Sequence, residues 1–173
     1  MTFSVRRIDG IGARELAGLS DLLRDIVDGG ASIGFMQPLT AARAESFWRS
    51  VDASLARGER ALLIAEDERG IVGTAQAVWA TSENQPHRAD IAKMLVHRRA
   101  RRQGVGAALL AAAEDAARAA GRTLLVLDTA SGAAERLYER GGWQRVGTIP
   151  KFALMLDGPF THTVFFYKEL SSD

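Results

Sequence analysis

The stretch Arg101-Arg102-Gln103-Gly104-Val105-Gly106 constrains the fold more than any other part of the chain. It follows a strand-like run, Ile91 to His97, and opens a long alanine-rich segment, 105–120, whose composition favours helix. A strand that turns through glycines directly into a helix presents the unpaired N–H groups of the first helical turn, at the positive end of the dipole. Such a turn is an anion cradle, and a diphosphate fits it. Two common diphosphate patterns are excluded. Leu109 occupies the third small position of the dinucleotide fingerprint, and no Gly-Lys-Ser/Thr follows to hold a terminal phosphate and magnesium. The plainer alternative is a basic turn that caps a structural helix.

The rest of the chain reads as a mixed α/β domain. Phe3 to Ile8 alternates apolar and polar residues as a half-buried strand does. Residues 14–28 place Leu16, Leu19, Leu22, Leu23, Ile26 and Val27 at helical spacing before Gly29-Gly30. A second helix starts after Pro38, with Thr40 as N-cap, and runs through Phe47, Trp48 and Val51 toward Gly58. Between the two helices, Ile33, Phe35 and Met36 sit on a loop, where they either wall a pocket or close the core. Segments 61–66 and 71–80 form a hairpin around Asp67-Glu68-Arg69-Gly70, and 88–97 is a further strand. Helix 105–120, strand 123–128, helix 133–140, and strands 143–149 and 163–170 complete the order, which implies a mixed sheet with an internal crossover.

With 173 residues, the chain has room for one domain with a substantial core. Its net charge of +1 favours neither nucleic acid nor an anionic membrane as partner. The basic run from His97 to Arg102 is short and has no flanking aromatics to stack bases, so no nucleic-acid partner is expected. Absence of cysteine excludes a disulfide framework, a thiolate metal site and an acyl-cysteine intermediate. No apolar run approaches the ~18 residues that span a bilayer, and the first residues lack a signal-type apolar core. A cytoplasmic protein without a membrane partner is expected.

A second motif, Leu137-Tyr138-Glu139-Arg140-Gly141-Gly142-Trp143, ends the short helix after strand 123–128. Together the two motifs resemble those of the Gcn5-related N-acetyltransferase (GNAT) family. The first is similar to that family's acetyl-CoA pyrophosphate loop, Arg/Gln-x-x-Gly-x-Gly/Ala, and the second to its Leu-Tyr-Glu-x-x-Gly-Phe segment. The resemblance spans residues 60 to 170. The runs Lys93-Met94-Leu95-Val96-His97, Leu127-Asp128-Thr129, Gly147-x-Ile149-Pro150 and Thr163 to Lys168 are similar to the branch containing tabtoxin-resistance-type enzymes.

The resemblance implies a single GNAT-like domain: a mixed, mostly antiparallel sheet with a splayed central strand pair and about four flanking helices. It implies acetyl-CoA as acetyl donor and no metal. The backbone of Met94, Leu95 and Val96 would bond the pantetheine arm as an added strand, with a bulge splaying this strand from the next. Arg101, Arg102, Gln103, Gly104, Val105, Gly106 and Ala107 would surround the pyrophosphate, and the arginines at 98, 99, 101 and 102 would add charge. Tyr138 matches the tyrosine that hydrogen-bonds or protonates the coenzyme sulfur, a role that suits a hydroxyl protonated at neutral pH. It also stands at helical spacing from Ala134, as a core tyrosine would.

No motif marks the general base. Asp128, which ends the apolar run 124–127, is the first candidate, although it could equally cap the following turn. Asp90, near the start of the cofactor strand, is the second, and His87 the third. Two positions depart from the family pattern: Ser131 stands where a cofactor-binding Asn is usual, and Gly141 where a larger apolar residue is usual. Phe35, Met36, Trp48 and Phe152 are the expected walls of a closed pocket for a small-molecule amine. Transfer to a protein N-terminus or lysine, and a non-catalytic acyl-CoA-binding module, are the rival readings. A monomer and a homodimer are both compatible with the final strand.

Overall fold

Period-two alternation dictates the sheet. In the computed structural model, which describes residues 2–171, β1 (Ser4–Ile8) pairs antiparallel with β2 (Arg60–Asp67), which turns tightly into β3 (Gly70–Trp79). Along β2, Ala61, Leu63 and Ala65 enter one buried cluster while Leu62 and Ile64 enter another, so both faces of the strand are covered. The expected hairpin is therefore present, centred on the expected turn. Next come β4 (Arg88–Val96), β5 (Leu124–Thr129), β6 (Gln144–Leu154) and β7 (Phe160–Glu169), in the spatial order β1-β2-β3-β4-β5-β7-β6. Only β4 and β5 run parallel; every other neighbouring pair is antiparallel.

Helices cover both faces. On one side lie α1 (Ala13–Asp28) and α2 (Ala41–Ala56), the latter capped by Thr40, whose hydroxyl accepts from the Arg43 N–H. Leu19, Leu22, Leu23, Ile26, Trp48 and Val51 pack there on Leu62, Ile64 and Leu95. On the other side lie α3 (Val105–Ala119) and α4 (Gly132–Arg140), which bury Leu109, Leu110, Ala113 and Tyr138 against Leu63, Ala75, Leu125 and Phe166. The approach of α3 to β3 is close: a Cβ on Gly73 would lie 2.8 Å from Leu109 Cδ1 and 3.0 Å from the Leu95 carbonyl oxygen. Seven strands and four α-helices among the described residues match the expected mixed, mostly antiparallel architecture.

One boundary differs. β6 runs to Leu154 and β7 begins at Phe160, so the last hairpin is longer than the expected strands 143–149 and 163–170. Pro150 reads as a stop because it has no N–H, yet β6 is the sheet's edge strand, where a missing donor is tolerated. The ladder shifts register between Ile149 and Ala153 and continues.

A buried polar network ties α3, α4 and β7 together. Glu114 accepts from Trp143 Nε1 at 2.8 Å and from Lys168 Nζ at 2.6 Å, and Lys168 also donates to the Gly141 carbonyl at 2.8 Å. The C-terminal end of α4, which carries Tyr138, is thereby fixed to the sheet. Lys168→Met would leave the Glu114 carboxylate without its cation, and a loss of roughly 2–4 kcal/mol is expected in denaturant unfolding. A loss under ~0.5 kcal/mol, the size of an ordinary surface change, would remove this network from the account of stability.

Candidate active site

A bulge in β4 creates the site. Thr74 pairs with Leu95 and Gln76 with Ala92, so Lys93 and Met94 stand opposite the single residue Ala75. Lys93 takes φ 50, in the left-handed region that a branched or long side chain enters only at a cost. The extra residue also inverts the strand's faces: Ala89 and Ile91 belong to the α3/α4 side, whereas beyond the bulge Leu95 belongs to the α1/α2 side. Parallel pairing of β4 with β5 is confined to Arg88–Asp90 against Leu124–Val126, while β5 stays paired with β7 up to Thr129. From Ile91 onward the β5-facing edge of β4 therefore has no ladder partner among the described residues. Met94, Leu95 and Val96 line that open edge.

Above the slot, α3 begins at Gly104, whose φ of 83 is the left-handed geometry glycine supplies without strain. No side chain caps this helix. Its first inward hydrogen bond runs from the Ala108 N–H to the Gly104 carbonyl at 3.0 Å, so by helix geometry the N–H groups of Val105, Gly106 and Ala107 remain available. Gly106 serves packing: a Cβ there would lie 3.3 Å from Leu137 Cδ2, so glycine is what lets the two motif-bearing helices meet.

The arginines divide into two groups. Arg98 is ion-paired to Asp25 of α1, and Arg99 to the buried carboxylate of Asp67 in the β2–β3 turn, with Arg99 Nη2 at 3.0 Å from Asp67 Oδ1. The Arg99 guanidinium holds the Asp67 carboxyl below the usual range, ahead of the opposing effect of burial. These two cations, expected to add charge for phosphates, instead anchor the turn. Arg101, Arg102 and Gln103 are exposed at its tip, where Gln103 Nε2 donates to the Arg99 carbonyl at 3.0 Å.

Tyr138 lies beneath the slot, 4% exposed, with its ring centroid 5.9 Å from Trp143 and 5.8 Å from Phe166. Burial, with the Asp128 carboxylate adding to it, pushes the phenol up to about 12, so the hydroxyl keeps its proton across the physiological range. Asp128 is exposed near the end of β5 and accepts from Thr163 Oγ1 at 2.7 Å. Asp90 is engaged by Arg88 Nη1 at 2.7 Å. His87 is exposed, and its carbonyl accepts from the Thr123 and Leu124 N–H groups, a structural use of its backbone. Ser131 is the N-cap of α4, its hydroxyl accepting from the Ala134 N–H at 3.4 Å.

The expected acceptor-side residues separate. Trp48 is not a pocket wall: it is completely buried in the α1/α2 core, because its helical position faces the sheet. Phe35 is half-buried, edge-on to Phe47 at 5.2 Å, and Met36 beside it is exposed. Phe152 is about half exposed on β6 and meets Phe165 edge-on at 6.0 Å. Phe165 in turn pairs with Asp128 across β5 and β7, which places both on one face of the sheet. Sequence reasoning missed Phe47, Thr163, Phe165 and the side chain of Lys93. The first three are ordinary core or strand residues in the letters, and Lys93 is aimed by a bulge that no letter marks.

Residues 58–145 match the family model described as "Acetyltransferase (GNAT) domain", about half of the chain. The chain is also 33% identical over 127 residues to an uncharacterized N-acetyltransferase in the hisH-hisA intergenic region of Azospirillum brasilense, covering 72% of this chain and 74% of that protein. It belongs to the GNAT family, and it is an acetyltransferase. Among solved structures, ribosomal-protein-alanine N-acetyltransferase from Brucella melitensis superposes with a TM-score of 0.80 at 22% identity over 96% of this chain and 99% of that one. A phosphinothricin acetyltransferase from Sinorhizobium meliloti in complex with AcCoA superposes with a TM-score of 0.82 at 21% identity over 99% of this chain and 90% of that one. At such identities the likeness defines the fold. No helix among the described residues is long and apolar enough to cross a membrane.

The environment of Tyr138 has a direct spectroscopic consequence. Its folded value, about 12, lies above the ordinary 10.0, so the stability its neutral form contributes is complete below pH 10 and lost as pH rises through 12. In an ultraviolet phenolate titration, the difference between wild type and Tyr138→Phe is expected only on approach to that upper value. A Tyr138 phenolate signal centred on the ordinary value would place the ring in a wetter setting.

Proposed function

We propose that this acetyltransferase uses acetyl-CoA as donor and transfers the acetyl group directly to a primary amine of a small, amino-acid-like molecule. The single observation that carries the donor assignment is the open edge of β4 from Ile91 onward, continuous with the uncapped N-terminus of α3. That arrangement fits a long ligand with one anionic end. Backbone groups of Met94, Leu95 and Val96 would hold its extended amide arm in the slot, as an added strand. The N–H groups of Val105, Gly106 and Ala107, with Arg101, Arg102 and Gln103 at the tip, would hold its diphosphate. When bound, acetyl-CoA would supply an activated thioester.

The chain's own groups then divide the proton work. Asp128 takes a proton from the acceptor ammonium, leaving a neutral amine whose nitrogen bonds to the thioester carbonyl carbon. Donors at the bulge, the N–H groups near Leu95 and Val96, face the charge that develops on the carbonyl oxygen. As the carbon–sulfur bond breaks, Tyr138 gives its proton to the departing thiolate, a step favoured by the phenol being neutral. From ammonium to amide the nitrogen loses two protons and the thiolate gains one. Asp128 releases the first to solvent and takes the second from the nitrogen after attack, and that second proton replaces the one Tyr138 gave up, so one proton is released overall. The Asp90 carboxylate is already ion-paired to Arg88, whereas Asp128 has no cation on it among the described residues. A small acceptor is favoured over a protein segment by the loop between α1 and α2, which Lys93 Nζ ties to the β4 bulge through the Ile33 carbonyl at 3.0 Å.

Calorimetric titration with acetyl-CoA tests the donor, and thiol release over an amine panel tests the reaction. Gly104→Ala forces a Cβ into a φ of 83 with no atom to clash against, so it perturbs only the cradle. Weaker acetyl-CoA binding by about tenfold, in line with roughly 1–2 kcal/mol of left-handed strain, is expected. Normal affinity would move the diphosphate elsewhere. Tyr138→Phe is expected to lower kcat by about 10- to 100-fold, toward the lower range for general acid catalysis, with acetyl-CoA affinity retained. An unchanged kcat would take the acid role from Tyr138.

A further inference from the structure

Lys93 is a charged side chain beside the slot to which neither the cradle nor the proton transfers give a task. It stands on the bulge itself, half-buried, with Nζ 5.8 Å from the centroids of both Phe35 and Phe47. Its hydrogen bond to the Ile33 carbonyl uses one of three N–H donors. Among the described residues no carboxylate lies within ion-pair distance of it, whereas Arg88, Arg99 and Lys168, also partly buried, each have one. Burial lowers its affinity for a proton, and the Asp128 carboxylate opposes that effect, so the two groups act on each other across the site without touching. A half-buried ammonium with spare donors is costly unless an anion completes it. Asp128 is already directed to Thr163 and to the acceptor nitrogen.

The opposite charges of Lys93 and Asp128 match a molecule that carries both. Resting on the amine-acetyltransferase reading above, we propose that Lys93 is the specificity-determining residue of the acceptor subsite, where it binds a free carboxylate on the acceptor while Asp128 faces the acceptor amine. The ammonium lies over the Phe35 and Phe47 rings, a cation–π setting that attracts the cation and limits the water that competes for it while leaving its spare N–H donors for an anion. Phe165, on the same sheet face as Asp128 and covered by Phe152, supplies the apolar wall for the acceptor's carbon skeleton.

The test compares amino acids with their methyl esters and with the amines that lack the carboxyl group, in wild type, Lys93→Met and Lys93→Arg. Wild type is expected to prefer the free acid in kcat/KM by about tenfold or more, the range for one charge-assisted hydrogen bond. Lys93→Met is expected to lose at least tenfold more on the acid than on its ester, through KM, and Lys93→Arg to recover part of the preference. Acetyl-CoA affinity, measured by calorimetry on each variant, reports that the fold and the donor site are intact. Equal losses on acid and ester would assign Lys93 to holding the Ile33 loop only, and equal use of acid and ester by wild type would also overturn the proposal. If acetyl-CoA binds but no amine of any kind is acetylated, the amine-acetyltransferase reading itself fails and this inference fails with it, an outcome distinct from turnover without acid preference.

Discussion

One surplus residue in β4 governs the architecture of the site. Antiparallel ladders tolerate an unpaired residue only by bending and by reversing which side chains face which layer. With Lys93 and Met94 opposite Ala75, the strand turns away from β5 after three paired residues. Its Leu95 then joins the α1/α2 core. Without the bulge, β4 and β5 could continue their parallel pairing and close the slot, and Lys93 would project to the opposite side. The left-handed backbone at Lys93 is held in place by the layers on both faces, which is how strain persists at functional positions.

The second requirement is that the turn above the slot stay put although its tip is glycine-rich and exposed. Electrostatics meets it from two directions. Asp25, at the end of α1, receives the Arg98 backbone N–H at 3.1 Å as well as its guanidinium, and Asp67, in the β2–β3 turn, receives Arg99. The Asp67 carboxylate is almost entirely buried, so its pairing is screened far less by salt than the surface pairs elsewhere on the chain. Below, the Glu114, Lys168 and Trp143 network fixes α4, and Gly106 lets α3 seat against it. Basic residues that look alike in the sequence thus do different work: 98 and 99 build the turn, while 101 and 102 remain at its surface.

Much of this was legible in the letters. Hydrophobic periodicity marks the helices because each has one layer to face, a continuous apolar run marks β2, which is covered on both faces, and Thr40 caps its helix as its position implies. The glycine motif marks the uncapped start of α3 because the left-handed turn at Gly104 is a local requirement, and the second motif falls on α4 with Tyr138 buried in the core. What escaped depends on tertiary context. Trp48 has the spacing of either a core or a pocket residue, and only the proximity of the sheet decides that it is core. The partners of Arg98 and Arg99 are 73 and 32 residues away. Ser131 occupies a position that resemblance ties to the cofactor, yet its hydroxyl caps α4 by a purely local rule.

Acceptor choice is separable from all of these constraints. The Brucella and Sinorhizobium proteins share this fold while their names specify a ribosomal-protein alanine and phosphinothricin, so the sheet and helices cannot be what selects. On the proposed function, selection would fall to the two segments that flank the open β4 edge and the Asp128 face: the α1–α2 loop and the β6–β7 hairpin. Here the first is joined to the bulge by Lys93, and the second reaches the Asp128 face through Phe152 and Phe165. The hairpin also carries Val146, Ile149, Leu154 and Phe160 as exposed large apolar side chains. A bulge that aims one lysine at one loop thus ties the open β4 edge to the α1–α2 loop through a single residue. On the proposal that Lys93 binds the acceptor, a change at position 93 would alter which acceptors fit while leaving in place the turn and helix contacts at the start of α3.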